Sequence, residues 1–250
     1  MHSITLTLVN TNPPFKFYHW NHPLNLAETF SQKELDKIKS VIKPGDYVID
    51  IGAYTGDTTI PYAIAAGESG FIAAFEPNPL TRQVLDENIK VNNLGENVEV
   101  YPFAVSNESG RKSLSYTGNM CNGGFGAVNG PEPLEANCLT LDEFYYNWCS
   151  LKPSLIKIDT EGHELDILLN AEKLIKNSRP KLILELFIVL DEQKRKDLWN
   201  WLESHRYKVF VYYFPTDETR HGKELGVLDF LASYGKHMDL LCVPVEKCEV

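Results

Sequence analysis

Four acids in this chain each end or interrupt an apolar run, and acids in that setting hold or act on polar ligands. They are Asp50 in V-I-D-I, Glu76 after F-I-A-A-F, Asp159 after L-I-K-I and Glu185 in L-I-L-E-L. Ligands in open α/β sheets sit outside the carboxyl ends of the strands. A single acid there could be a helix cap or a surface charge; four converging on one rim point to a site. The first lies in D-Y-V-I-D-I-G-A-Y-T-G-D-T-T (Asp46–Thr59), where Gly52 and Gly56 let the backbone approach a ligand closely. Glu76, at the end of the next apolar run, suits the hydroxyls of a ribose.

The glycine spacing separates cofactor classes. A dinucleotide site reads G-x-G-x-x-G and lays a pyrophosphate on the helix N-terminus. Here the spacing is Gly52-Ala-Tyr-Thr-Gly56, and Asp57 follows where a phosphate would sit. A phosphate-free nucleoside carrying an amino acid and a cation fits better, and S-adenosylmethionine is the candidate. The bland reading is a plain strand–turn–helix.

The densest segment is I-K-I-D-T-E-G-H-E, Ile156–Glu164. Lys157 sits in an apolar strand and needs an acidic partner there. Asp159, Glu161, His163 and Glu164 crowd one strand–helix turn. Glu161 and Glu164 could simply favour the helix dipole. His163 is the group whose unperturbed pKa suits proton transfer near neutrality. Asp159, Glu161 and His163 are also metal-ligand types, but without a tight ligand spacing, so no metal is expected.

Alternating elements must position these residues. Ile4–Val9 reads as a strand, and Thr11–Leu26, aromatic and proline-rich, as irregular. Ser31 with Glu34 reads as a capping box opening a helix to about Ile42. Strands are expected at Tyr47–Ile51, Phe71–Phe75, Val98–Tyr101, Leu155–Ile158, Leu182–Leu186, Tyr207–Tyr213 and Asp239–Val243, with short ones at Lys112–Tyr116 and Asn137–Leu139. Helices are expected after Gly56 to about Ala66, from Pro79 to about Asn92, and over Leu141–Trp148, Glu164–Lys176 and Asp191–Ser204. Such alternation implies a mostly parallel sheet with helices on both faces, the last two strands making an antiparallel edge. The Gly- and Asn-rich stretch 117–133 reads as a lid loop.

The composition narrows the partners. With 24 Lys and Arg against 34 Asp and Glu, the net charge is −10, which argues against a broad nucleic-acid surface. Five scattered cysteines without a C-x-x-C read as reduced thiols, and with no signal stretch or apolar span a cytoplasmic location is expected. A homodimer is compatible with the β-rich edges.

The chain resembles the FkbM family of S-adenosylmethionine-dependent methyltransferases over about Val41–Leu190. The resemblance rests on V-I-D-I-G-A-Y-T-G, A-F-E-P-N-P, Phe103-Ala104-Val105-Ser106, L-T-L-D-E-F and, above all, L-I-K-I-D-T-E-G-H-E-L-D-I-L-L-N-A. It implies a Rossmann-like methyltransferase fold with a mostly parallel seven-stranded sheet and an antiparallel edge strand. It also implies methyl transfer to an oxygen, typically on a sugar, glycan or natural product. By the same resemblance Asp50, Gly52, Ala53, Tyr54, Gly56 and Thr58 form the cofactor loop. Glu76 binds the ribose, Pro77 and Asn78 shape the pocket, and Ala104 and Val105 lie by the adenine. Asp159 and Glu161 face the methionine end and the acceptor. Tyr54 and Thr55 depart from the family's more frequent Asn-Ile.

Residues 1–42 are then expected to be an extension capping the substrate, and 43–250 the catalytic domain. His163 or Asp159 would be the general base, Glu161 would position the acceptor or the base, and Lys157 would tune their charge. Tyr18, His19 and Trp20 offer an aromatic wall for a sugar face or a hydrophobic plug, and Glu185 a contact to the acceptor. Two rival functions remain at this level: an NAD-dependent oxidoreductase on a similar sheet, and a non-catalytic nucleoside-binding module.

Overall fold

The computed structural model describes residues 4–20, 30–116, 132–149, 151–186, 191–213, 221–233 and 238–248. The hairpin β1 (Ile4–Val9) and β2 (Phe15–Trp20) leads to α1 (Gln32–Val41). Then β3 (Tyr47–Ile51), α2 (Thr59–Ala66), β4 (Phe71–Phe75), α3 (Pro79–Val91) and β5 (Val98–Tyr101) alternate. A side sheet of β6 (Ala104–Val105), β7 (Gly110–Tyr116) and β8 (Glu132–Leu139) precedes α4 (Leu141–Asn147) and β9 (Leu155–Ile158). The chain continues through α5 (Glu164–Leu169), α6 (Glu172–Ser178), β10 (Lys181–Leu186), α7 (Glu192–Ser204), β11 (Tyr207–Tyr213), α8 (Val227–Leu231) and β12 (Met238–Pro244).

The main sheet has seven strands in the order β11-β12-β10-β9-β3-β4-β5. Strands β10, β9, β3, β4 and β5 are parallel, and β12 runs antiparallel to both of its neighbours. The antiparallel member is thus not outermost, since β11 covers it. Strand β3 is buried along its whole length, as its apolar sequence requires. Alternate residues feed two cores. One face packs Ile49, Phe75, Ile156 and Leu184 against Phe144, Leu168 and Leu202; the other packs Val48, Ile72 and Ala74 against Ile60, Tyr62 and Leu85.

Register is what builds the rim. Ile51 pairs with Phe75 and with Ile158, Phe75 with Tyr101, and Ile158 with Leu184. These residues form one row across the sheet, so the next ones, Gly52, Glu76, Asp159 and Glu185, emerge side by side.

Two local differences from the sequence reading have clear causes. Phe15–Trp20, expected to be irregular, is β2: Phe15 and Phe17 are buried while Lys16 is exposed, an alternation hidden behind two prolines. The single helix expected over Glu164–Lys176 is two. The Asn170 amide takes the carbonyl of Asp166, and Asp142 of α4 accepts from the N–H groups of Lys173 and Leu174, giving α6 its own start. The capping box at Ser31 and Glu34 forms as read. The expected lid falls on residues 117–131, outside the described residues, and Glu132 and Pro133 already belong to β8.

Helix α3 carries the N-terminal hairpin through two asparagines one turn apart. Asn88 accepts from the Tyr18 N–H and donates to the Tyr18 carbonyl; Asn92 does the same for Lys16. Side-chain amides thereby continue the ladder of β2 and satisfy its edge. The Asn88 amide also reaches the Thr55 carbonyl at 2.8 Å, tying the hairpin to the glycine loop.

Candidate active site at the carboxyl rim of the sheet

The glycine loop fits against β9 so closely that only glycine serves at its start. Gly52 has φ +79°, and a Cβ there would stand 2.0 Å from the Asp159 carbonyl oxygen. Tyr54 also takes a left-handed conformation, φ +50°, which costs a non-glycine residue of order 1–3 kcal/mol. What this achieves is visible at Glu76. One of its carboxylate oxygens accepts the Tyr54 N–H at 2.9 Å and the other the Asn78 N–H at 2.8 Å. The side chain is buried, and burial raises its pKa to about 7 against those opposing hydrogen bonds. The Thr81 hydroxyl is a further partner, and of the roughly four acceptor sites of a carboxylate this leaves capacity for a ribose hydroxyl. Asn78 also caps α3 by accepting from the Leu80 N–H.

Asp50 organises the other side of the loop. It is fully buried, accepts from Thr58 at 2.9 Å and Thr59 at 2.6 Å, and pairs with Lys157 at 3.5 Å. Lys157 lies opposite Asp50 in the β3–β9 register, bonds the Gly52 carbonyl at 3.0 Å and pairs with Asp159 at 3.3 Å. Its two acids hold its pKa above the ordinary lysine value against the effect of burial. The partner expected of Lys157 is therefore a pair of acids, one on each side. Asp57 lies nearby, its pKa raised by burial to about 6.

The acceptor side is more crowded. Oxygens of Asp159, Glu161 and Glu185 lie within 4.8 Å of one another. Glu161 takes φ +59° and the following Gly162 φ +102°, so the turn is left-handed at two successive residues. Glu164, buried behind it, holds this turn with one oxygen that accepts from the Thr160 N–H and hydroxyl and the Gly162 N–H. Its part is structural, beyond the dipole effect expected. Burial, then Asp159 and Glu164, raise the Glu161 pKa to about 7. Burial first, then Asp159 and Glu161, push Glu185 far above the carboxylate range, so it is protonated at neutral pH. Asp239, its register partner on β12, is raised to about 7 by burial and by Asp159.

Not every sequence candidate joins this group. His163 turns to Asp166, with Nδ1 3.0 Å from the carboxylate, and to Ser106, with Nε2 3.2 Å from Oγ. The metal-ligand set considered from sequence, Asp159, Glu161 and His163, is thus not the set brought together; Glu185 takes the place of the histidine. Val105 is buried in the core around Phe75 and Phe144, so only its backbone is available to an adenine. His19 bonds Thr7 and packs edge-on against Phe17, and Phe15 and Phe17 pack on Phe30, so this face of the hairpin is a plug. Tyr18 lies on the opposite face, half-buried. Thr59, Asn88 and Asp239 were missed. A polar residue inside an otherwise apolar strand or helix face was the signal for each.

Known proteins resemble this chain to different extents. The sequence model of the methyltransferase FkbM domain matches residues 50–209. A probable cobalt-precorrin-6B C(15)-methyltransferase (decarboxylating) of Methanobrevibacter smithii is 34% identical over 82 residues, covering 33% of this chain and 40% of that protein. The crystal structure of methyltransferase FkbM from Methylobacillus flagellatus aligns with a TM-score of 0.52 at 17% identity, over 84% of this chain and 51% of that one. An O-methyltransferase from Bacillus cereus, solved in complex with SAH, aligns with a TM-score of 0.50 at 13% identity, over 87% of this chain and 84% of that one. The last two likenesses speak for the fold alone.

Proposed function

The chain belongs to the FkbM methyltransferase family, and on that premise we propose that it transfers a methyl group from S-adenosylmethionine to a hydroxyl of a sugar, glycan or natural product. Glu76 carries the reading. It is a buried carboxylate on the second strand of a parallel pair, held by two loop N–H groups with acceptor capacity left for a ribose hydroxyl. Membership of a methyltransferase family carries the cofactor class, and a protein of the same fold from Bacillus cereus was solved with SAH.

S-adenosylmethionine supplies an activated methyl group on a sulfonium, so the protein's work is alignment and proton removal. In this reading Glu76 binds the ribose hydroxyls, beside Pro77 and Asn78. The loop Gly52–Thr58 passes along the ligand, braced by Asp50 through Thr58 and Thr59. Asp159, beside the Lys157 ammonium, faces the methionine end. Glu161 takes the acceptor proton: its pKa near 7 matches the task, and it is only half-buried. Protonated Glu185 donates a hydrogen bond and does not compete as a base. The hairpin, mounted on α3 and on Thr55, caps the acceptor with Tyr18.

The experiment is turnover with methyl-labelled S-adenosylmethionine over a panel of sugar, polyketide and phenolic hydroxyls. Label on oxygen with release of S-adenosylhomocysteine is the expected result. Label on nitrogen or carbon acceptors alone would contradict the proposed acceptor class. Binding without transfer to any acceptor would favour a nucleoside-binding module.

A further inference from the structure

His163 stands at the N-cap of α5, and its two ring nitrogens are both engaged, with Asp166 at 3.0 Å and Ser106 at 3.2 Å. Ser106 directly follows β6 and is fully buried. Its Oγ is also 3.1 Å from the Lys112 ammonium on β7, which reaches Asn107 at 2.6 Å and Glu108 at 3.1 Å. Serine, histidine and acid in this order have the connectivity of a nucleophilic triad. Here the hydroxyl is buried and already receives an ammonium, so it does not face a substrate. What the chain of contacts does is join two turns. One is the Ala104–Ser106 segment, whose Ala104 and Val105 the family resemblance places by the adenine; the other is the 159–163 turn that carries Asp159 and Glu161.

We propose that Lys112, Ser106, His163 and Asp166 form a strut that sets the 159–163 turn against the 104–106 turn, so that filling the cofactor side orders the acids on the acceptor side. His163 is then a positioning residue and not the general base. The charged groups facing it are Asp166 on α5, Lys112 on β7 and Lys194 on α7. Burial holds its pKa below the ordinary histidine value, so the ring is neutral. A neutral ring with Nδ1–H donating to Asp166 leaves Nε2 to accept the Ser106 hydroxyl, as the strut requires; the other acceptor within that hydroxyl's reach, Asn107 Oδ1 at 3.1 Å, already takes the Lys112 ammonium. The ligand-coupled half of this proposal rests on the cofactor reading above.

Hydrogen exchange on the full chain, with and without S-adenosylhomocysteine, tests it. Ser106→Ala and Asp166→Ala cut the strut on either side of His163, and Asp166→Asn restores an acceptor. Without ligand, both alanine variants are expected to speed amide exchange over 160–166 about tenfold, the effect of losing one buried hydrogen bond. Asp166→Asn is expected to bring it back towards wild type. With ligand, the wild type is expected to gain protection at both turns, and Ser106→Ala only at 104–107. A purely local stabilising role would leave that ligand-induced protection at 160–164 intact. Unchanged exchange over 160–166 in both alanine variants would overturn the strut. Wild type that fails to bind S-adenosylhomocysteine, with exchange still accelerated in Ser106→Ala, would support the strut and refute the cofactor reading.

Discussion

The two halves of the rim handle acids in opposite ways. At the ends of β3 and β4, each carboxylate has its own fixed donors: Thr58 and Thr59 for Asp50, the Tyr54 and Asn78 amides for Glu76. At the ends of β9 and β10, Asp159, Glu161 and Glu185 face one another, with Lys157 as the cation paired to Asp159. Donors fixed before a ligand arrives favour selective binding, because little is reorganised on association. Burial, reinforced by acids that repel one another, instead leaves a group poised for proton transfer. The first half reads as the place of recognition and the second as the place of chemistry.

The sharpest test of that division is Glu161→Gln. Turnover is expected to fall by about 10²–10⁴-fold, the usual worth of a general base. The affinity for S-adenosylhomocysteine should stay within about twofold, since Glu161 is outside the recognition half. In wild type, kcat at saturating cofactor should rise with pH through an apparent pKa near 7, and that limb should vanish in the variant. An equal loss of cofactor affinity would break the division.

Lys157 joins the halves, so its removal should damage both. Lys157→Met leaves Asp50 and Asp159 without their shared cation, and breaking a buried pair from one side costs about 3–5 kcal/mol. Urea denaturation measures it; a loss below about 1 kcal/mol would mean that the acids take up protons instead.

The pH dependence of stability comes next. Unfolded acids release their protons near pH 4–4.5, whereas in the fold burial holds Glu76, Glu161 and Asp239 protonated to about 7 and Asp57 to about 6. Between those limits the native state binds more protons than the unfolded one, so stability falls as pH rises through the window. Lys157 stays charged throughout and contributes no slope there. The thermal midpoint of the unliganded protein should decline from about pH 5 to pH 7. A midpoint rising over that range would show the acids to be better compensated than their burial implies.

The smallest effect is expected at the hairpin. Asn88→Ala removes the bonds to Tyr18 and Thr55 at a net cost of about 1–3 kcal/mol. The loosening should be confined to Phe17–His19 and the glycine loop in hydrogen exchange.

The recognition half was the more legible in sequence. Buried parallel strands need continuous apolar runs, so an acid or glycine at the end of one stands out, as Asp50, Gly52 and Glu76 do. Lys157 was legible for the same reason, as a charge in a strand that must find a partner. The acceptor half depended on register and turn geometry. That Asp159 and Glu185 share a rim was legible; that Glu161 closes on them while His163 turns to Ser106 follows from the left-handed turn and from contacts between segments far apart in the chain. The β2 strand was obscured by its prolines, and the α5–α6 break by an N-terminal acceptor that comes from Asp142 on another helix.

The most direct test of the central claim is calorimetric titration of S-adenosylhomocysteine, with NAD as control, into wild type and Glu76→Ala. The account predicts that wild type binds S-adenosylhomocysteine and not NAD, and that Glu76→Ala weakens binding by about tenfold to a hundredfold, the worth of a charged hydrogen bond to the ribose. Binding of NAD instead, or of S-adenosylhomocysteine with equal affinity in both proteins, would contradict the assignment of this rim.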